Sequence, residues 1–343
     1  MDCYHPYCPM SHLEKDRIFS YNKLNRNNPN PKIRGSVLHT STNIGRAMTQ
    51  SPTQLSALSR LFSSSVFHEL AQKGRSSLFG RLFNETILSD RIRPEDSVGK
   101  VFDDAFEALQ RSGYRDEYVF RAALIHNIFL GRHSLNNASI LTEFRAGVCK
   151  ADLAILNGTS TVYEIKSDRD SLARLTNQIE NYRKVFARIY VIASEKYVDE
   201  VLDTTSRDIG VMILNRRNGI GTKRKAIDCS DLVCTETIFE SLRKTEAKAI
   251  LRYLNIPIPD VPNTRQHAAL REIFLRLKPK KVHDLMVMTL KKTRTLEPLK
   301  NLVSHLPNSL TPAALSFQVR RSDHNRLIKA IATPLREAVD WGR

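Results

Sequence analysis

Long apolar runs are missing from this 343-residue chain, and none approaches the roughly 18–20 residues that a membrane-spanning helix needs. The first residues, with Asp2, Cys3, Cys8, Pro6 and Pro9, lack the basic and apolar layout of a signal peptide. The expectation is a soluble cytoplasmic protein that meets no membrane. Cysteine is scarce and odd in number: Cys3, Cys8, Cys149, Cys229 and Cys234 are too scattered for a disulfide framework. Cys3, His5, Cys8 and His12 crowd too tightly for a structural zinc pattern, and Cys229 and Cys234 lack the two-residue spacing of a zinc or redox pair. No glycine-rich phosphate loop, G-x-S-x-G elbow or H-E-x-x-H occurs. That removes the common nucleotide hydrolase, serine hydrolase and zinc protease chemistries. His126 and His133 read as structural or solvated, and the lone Trp341 as a packing residue.

Acid is the charge in short supply. Against 53 Lys+Arg stand 36 Asp+Glu, for a net charge of +17 and a pI near 9.8. Such a surplus favours polyanions, nucleic acid first. Its placement says more. Residues 116–217 hold 14 basic and 13 acidic residues, whereas residues 278–343 hold 13 and 5. A near-neutral centre between basic flanks suits acidic metal ligands inside and phosphate contacts outside.

Residues 1–50 are rich in Asn, Ser, Pro and basic residues and read as a flexible basic arm. From Pro52, apolar residues from Leu55 to Leu70 recur at three- and four-residue intervals, which predicts an amphipathic helix behind Ser51. Val98–Arg111 and Glu117–Leu130 are further helices. The period then shortens: Ser139–Phe144, Ala151–Leu156 and Thr161–Lys166 read as strands, with Asn157-Gly158 as a hairpin turn. A helix over 171–186, a buried strand Arg188–Ala193, a short helix and a strand Gly210–Leu214 follow. The order predicts an α/β fold: a mixed central sheet flanked by helices, with helical N- and C-terminal extensions. The expected division is arm 1–50, helical extension 51–115, core 116–217, basic linker 218–228 and basic helical domain 229–343.

Glu164 and Lys166 stand two apart on one strand and so share a face. The hairpin brings Asp152 near them. Two carboxylates and a lysine inside apolar strands are costly unless paired or metal-bound. Oxygen ligands of this kind hold a hard cation such as Mg²⁺ while leaving room for water and a phosphate oxygen. The cation would lower the pKa of bound water, and Lys166 would orient that water.

Asp152, eleven intervening residues and Glu164-Ile165-Lys166 resemble the D-x(n)-E-x-K signature of the PD-(D/E)XK nuclease superfamily. Gln178 and Tyr182, one turn apart on the following helix, extend the likeness, as does the order helix, three-strand meander, helix, strand. The stretches 145–152, 163–170 and 172–182 look like an uncharacterised bacterial branch. The likeness covers about 100 of the 343 residues. Ala151 stands where the family often has proline. Many members add an acid from the first helix, which would be Glu117; Glu143 on the first strand is its rival, slightly preferred because Arg145 shares its face.

The resemblance implies a Mg²⁺-dependent nuclease, with Mn²⁺ as substitute, in which Asp152 and Glu164 hold the metal and Lys166, Gln178 and Glu143 complete the centre. DNA is favoured over RNA, in defence or a mobile element. Arg145, Tyr182, Arg216, Arg217, Lys223, Arg224 and Lys225 are the expected nucleic-acid contacts. The alternatives are a binding protein that keeps the fold without turnover, or a scaffold for a protein partner. A homodimer or protein contact through the C-terminal helices stays open.

Overall fold

Alternating β-branched and aromatic residues build six strands into one mixed sheet, seen in a computed structural model that describes residues 51–113 and 115–342. The strands are β1 (Ser139–Ala146), β2 (Cys149–Asn157), β3 (Thr159–Lys166), β4 (Arg188–Ala193), β5 (Gly210–Leu214) and β6 (Ile220–Arg224). They lie in sequence order across the sheet. β1, β2 and β3 form an antiparallel meander, β3, β4 and β5 run parallel, and β6 returns antiparallel to β5. The predicted turn at Asn157-Gly158 is present, with Gly158 at φ +71°, a conformation that costs glycine little.

Helices α1 (Pro52–Leu61), α2 (Ser64–Lys73), α3 (Ser77–Asn84), α4 (Val98–Arg111) and α5 (Glu117–Ala123) precede the sheet. Helices α6 (Leu175–Arg183) and α7 (Val198–Thr204) make the crossovers that parallel strands require. After β6 come α8 (Thr235–Ser241), α9 (Lys244–Tyr253), α10 (Asn263–Phe274) and α11 (Pro279–Thr293), then α12 (Lys300–His305), α13 (Thr311–Ser316), α14 (His324–Ala332) and α15 (Leu335–Ala338). The α/β class with helical regions before and after the sheet is as expected.

Two apolar cores sandwich the sheet. One face presents Leu153, Ile155, Tyr163, Ile165, Ile192 and Met212 to helices α1–α5 and to residues 296–338. The other presents Val162, Val191, Ala193 and Val211 to α6 and α7 and to the helices of residues 235–290. The last helices thus share a core with the first. α14 packs on α2, and an isolated bridge joins Ser97 to Pro334. The described residues from Ser51 onward form one compact unit. Among the described residues no helix is long and apolar enough to cross a membrane.

Three local details depart from the periodicity. The helix expected across Leu55–Leu70 divides at Phe62-Ser63, where the Ser63 hydroxyl caps α2 by accepting from Val66 N at 3.5 Å. The helix expected over Glu117–Leu130 continues beyond α5 as a π-helix, Leu124–Leu130. The middle of the expected basic linker, Ile220–Arg224, is β6. Asn215 shapes the turn before it, accepting from Arg217 N and Gly219 N at 2.9 Å each. The expected arm, with Cys3, His5, Cys8 and His12, lies outside the described residues.

Candidate active site

Polarity brings the chemistry-bearing groups to one edge. The parallel strands β3, β4 and β5 end on it, and the antiparallel β2 starts on it. Such carboxyl ends of parallel strands are where α/β folds place ligands. Leu153 opposes Tyr163 in the β2–β3 ladder, so the next step would set Asp152 against Glu164. The ladder stops there, and the Asp152 carboxylate accepts the Ile165 N–H at 2.8 Å.

Glu164 and Lys166 point toward α6, as alternation from Val162 requires, and are almost wholly buried at 1% and 4% exposure. The Lys166 ammonium donates to Glu164 Oε1 and to Gln178 Oε1, both at 2.9 Å. Tyr182, one turn further along α6, donates from its phenol to Glu164 Oε2 at 2.7 Å and lies 2.8 Å from the Lys150 carbonyl. Glu164, Lys166, Gln178 and Tyr182 therefore form one hydrogen-bonded group, and Asp152 lies beside it through the Ile165 N–H. Tyr182 has no exposed surface. It positions Glu164 and Lys150, and it cannot touch nucleic acid as expected.

Burial and the neighbouring Glu164 push the Asp152 carboxyl up to about 8, with Glu117 adding and the Ile165 N–H and Arg121 opposing. Burial raises Tyr182 as well, with Glu164 next in effect. The Glu117 carboxyl is pushed up by burial, opposed by Arg121 and reinforced by Asp170, Glu143 and Asp116. The two rival acids are thus both near the centre, but neither closes on it. Glu117 pairs with Arg121 one turn along α5. Glu143 is exposed and reaches Lys150 only at 4.0 Å. It sits at φ +51°, where a side chain is strained.

The expected cations separate by position. Arg216 and Arg217 are exposed in the turn after β5, on the same edge as the candidate site, with Arg216 3.2 Å from Glu195. Arg145 is exposed at the end of β1 on that edge, its Nε donating to the Gly147 carbonyl at 3.2 Å. Because β6 runs back, Lys223, Arg224 and Lys225 lie toward the opposite edge. Arg224 is committed there to the Ile209 and Leu202 carbonyls at 2.7 and 3.1 Å. These three do not join the site.

Two contributors escaped the sequence reading. Arg121 is only 12% exposed, pairs with Glu117, acts on Asp152 and leaves its Nε without a partner. Its four-residue spacing from Glu117 was the available signal. Arg115 donates from its backbone to Asp168 at 3.1 Å and from its guanidinium to the Leu214 and Asn215 carbonyls at 3.1 and 2.6 Å. It ties the loop after Lys166 to the end of β5, and no local pattern announces such a contact.

Among the described residues no three His, Cys, Asp or Glu side chains converge tightly enough to form a metal cage. The donor set nonetheless fits a hard cation that keeps several waters, since it offers two carboxylates whose charges oppose each other in a buried place.

A family model described as bacteriophage P4 protein cII matches residues 110–317. Protein cII of Enterobacteria phage P4 is 27% identical over 222 residues, covering 62% of this chain and 81% of that protein. A solved structure of a protein of unknown function from Silicibacter pomeroyi aligns with 35% of this chain and 80% of its own, at 19% identity and a TM-score of 0.24. The family match takes in the sheet, the edge that carries Asp152, Glu164 and Lys166, and the helices from α8 to α13, and this chain belongs to the bacteriophage P4 protein cII family.

Proposed function

We propose that the protein is a metal-dependent nuclease of the PD-(D/E)XK kind that hydrolyses phosphodiester bonds in DNA, acting in the cytoplasm. One observation carries the reading. A buried Lys166 is held between Glu164 and Gln178 while a second acid, Asp152, is destabilised as an anion beside them. A fold with only structural needs gains nothing from this arrangement, since a buried like-charged pair weakens it.

Asp152 and Glu164 would hold Mg²⁺, or Mn²⁺ in its place. When bound, such a cation supplies an acidified water and offsets charge on the phosphate. Lys166, its ammonium fixed by Glu164 and Gln178, would orient the attacking water. Tyr182 keeps Glu164 in place, and Arg121, paired with Glu117, adds positive charge that acts on Asp152. Arg145, Arg216 and Arg217 offer phosphate contacts along the edge. The phage source of the named relative fits a mobile-element setting.

A second reading has its own support: both oxygens of Glu164 are already hydrogen-bonded, to Lys166 and Tyr182. That suits a DNA-binding protein that keeps the fold without turnover. Plasmid and linear DNA incubated with Mg²⁺, Mn²⁺ or EDTA, beside Asp152→Ala, separate the two. Cleavage that needs metal and vanishes in the variant supports the nuclease, and binding without cleavage in any metal supports the second reading.

A further inference from the structure

The turn between β1 and β2 carries a side chain that no catalytic step uses. Val148 is 84% exposed, at the tip of a two-residue connection between Ala146 and Cys149. Water is a poor environment for it, yet the turn is rigidly built. Gly147 has φ +60° and Val148 does not share a positive φ, as a II′-type hairpin requires. Asn181 on α6 braces it. Its Oδ1 accepts the Val148 N–H at 3.3 Å, and its amide donates to the Asn177 carbonyl at 2.8 Å. A Cβ at position 147 would stand 2.3 Å from that Oδ1, so only glycine fits. Arg145 closes the turn from the other side through its bond to the Gly147 carbonyl.

This platform projects from the active edge. The carbonyl of Lys150 meets Tyr182, and Asp152 follows two residues later. Arg145, Lys150 and Arg174 are exposed around the tip, with Glu143 the acid nearest to Lys150. Four residues of strand put Val148 roughly 13 Å from Asp152, or about four base pairs along a duplex. A two-stranded ribbon fits the major groove of DNA, where the apolar feature on offer is the thymine methyl group.

Resting on the nuclease reading for its substrate, we propose that the Gly147–Val148 hairpin enters the major groove of duplex DNA beside the scissile bond. There Val148 lies against a thymine methyl, and Arg145 and Lys150 hold the flanking phosphates. Recognition by the tip is of the methyl, so it distinguishes DNA from RNA as well as thymine from cytosine.

The test is binding of the full chain, in EDTA, to a fluorescent duplex and to the same duplex with deoxyuridine for thymidine. Wild type should bind the uracil duplex about fourfold more weakly, the value of one buried methyl. Val148→Ser should bind both duplexes alike, at the weaker level, with an unchanged melting temperature because the residue is exposed. Lys150→Ala should keep the discrimination and lower the salt slope by about one. Equal binding of the two duplexes by wild type, discrimination that survives Val148→Ser, or no DNA binding at all overturns the proposal. Cleavage is read separately in Mg²⁺. Discrimination without cleavage leaves the hairpin reader standing and removes the nuclease; cleavage without discrimination does the reverse.

Discussion

Glu143 and Asp152 occupy the one register position at which the β1–β2 ladder is interrupted. Pairing runs from Thr142–Leu153 to Phe144–Ala151, and the position between is left out. Both strands lose their alternation there. Leu141 and Phe144, three apart, enter the same core, and so do Ala151 and Ala154. The slip turns Phe144 inward and leaves Glu143 outside at φ +51°. Backbone strain of this kind is worth on the order of 1–3 kcal/mol, and it gathers at functional sites.

Glycine relieves that strain. Glu143→Gly should therefore be as stable as wild type or about 1 kcal/mol more stable in urea denaturation. Because Glu143 does not close on the centre, DNA cleavage should stay near the wild-type rate. A clear loss of stability would show that the Glu143 side chain holds β1, and a large loss of cleavage would put it in the centre.

Asp152→Asn separates function from stability. The native carboxyl is raised above its ordinary value of 3.8 to about 8. Its contribution to stability is therefore fully present below pH 4 and is lost as pH rises through 8. Without metal the variant should match wild type near pH 4 and exceed it increasingly toward pH 8, read as the melting temperature across that range. Cleavage should drop at least a hundredfold. A variant less stable than wild type at pH 8 would mean that the Ile165 hydrogen bond outweighs the burial.

Much of this centre was legible because it is local. Glu164 and Lys166 are bound to one face by strand periodicity, and Gln178 and Tyr182 to one face by helical periodicity. The Asn157-Gly158 turn set β2 against β3. What escaped depends on distant chain. Arg115 reaches Leu214, about a hundred residues away. The return of residues 296–342 to the first helices leaves no periodic trace. β6 was hidden because Gly219, Gly221 and the basic residues around them carry turn and surface chemistry, and its half-exposed edge position tolerates both.

Tyr182→Phe removes one hydroxyl whose single proton lies between Glu164 Oε2 at 2.7 Å and the Lys150 carbonyl at 2.8 Å. The expected destabilisation is about 1–3 kcal/mol, as for buried polar groups left unmet. Cleavage should fall less than in Asp152→Ala, since Lys166 still holds Glu164. Chemical denaturation and single-turnover cleavage measure the two effects. An unchanged rate with the full stability loss would make Tyr182 purely structural.

Acid should weaken the fold through His283. Its ring is 1% exposed, bonded to Ser160 Oγ at 2.8 Å and Asp284 at 3.1 Å, with Asp228 and Lys280 also acting on it. Burial holds its pKa below the ordinary 6.5 despite the two carboxylates. A depressed histidine contributes stability that is present above 6.5 and lost as pH falls, because the unfolded chain takes the proton first. Asp152 acts in the opposite sense over the same range, so the His283 effect is read as a difference: between pH 7.5 and 5, His283→Gln should lose less stability, or gain more, than wild type. Equal slopes would assign the acid sensitivity to other groups.

Glu246 makes the sharpest stability prediction. It is 1% exposed and accepts from Arg243 N at 2.8 Å, Thr293 Oγ1 at 3.0 Å, and Arg294 Nε and Nη2 at 2.9 Å each. Burial raises its carboxyl, but these donors outweigh it and hold the carboxyl below its usual range. Arg294 also lies over the Phe144 ring, 5.1 Å from its centroid, so the ion pair joins α9 and the end of α11 to β1. Arg294→Met keeps much of the packing and leaves a buried charge unpaired, which should cost about 3–5 kcal/mol. Adding Glu246→Gln should recover more than half of that loss, because the charge is then gone, the amide oxygen can accept from Arg243 N and the amide nitrogen can donate to Thr293 Oγ1. If the double variant is no more stable than Arg294→Met, the loss lies in the contact with Phe144 and the ion pair is incidental.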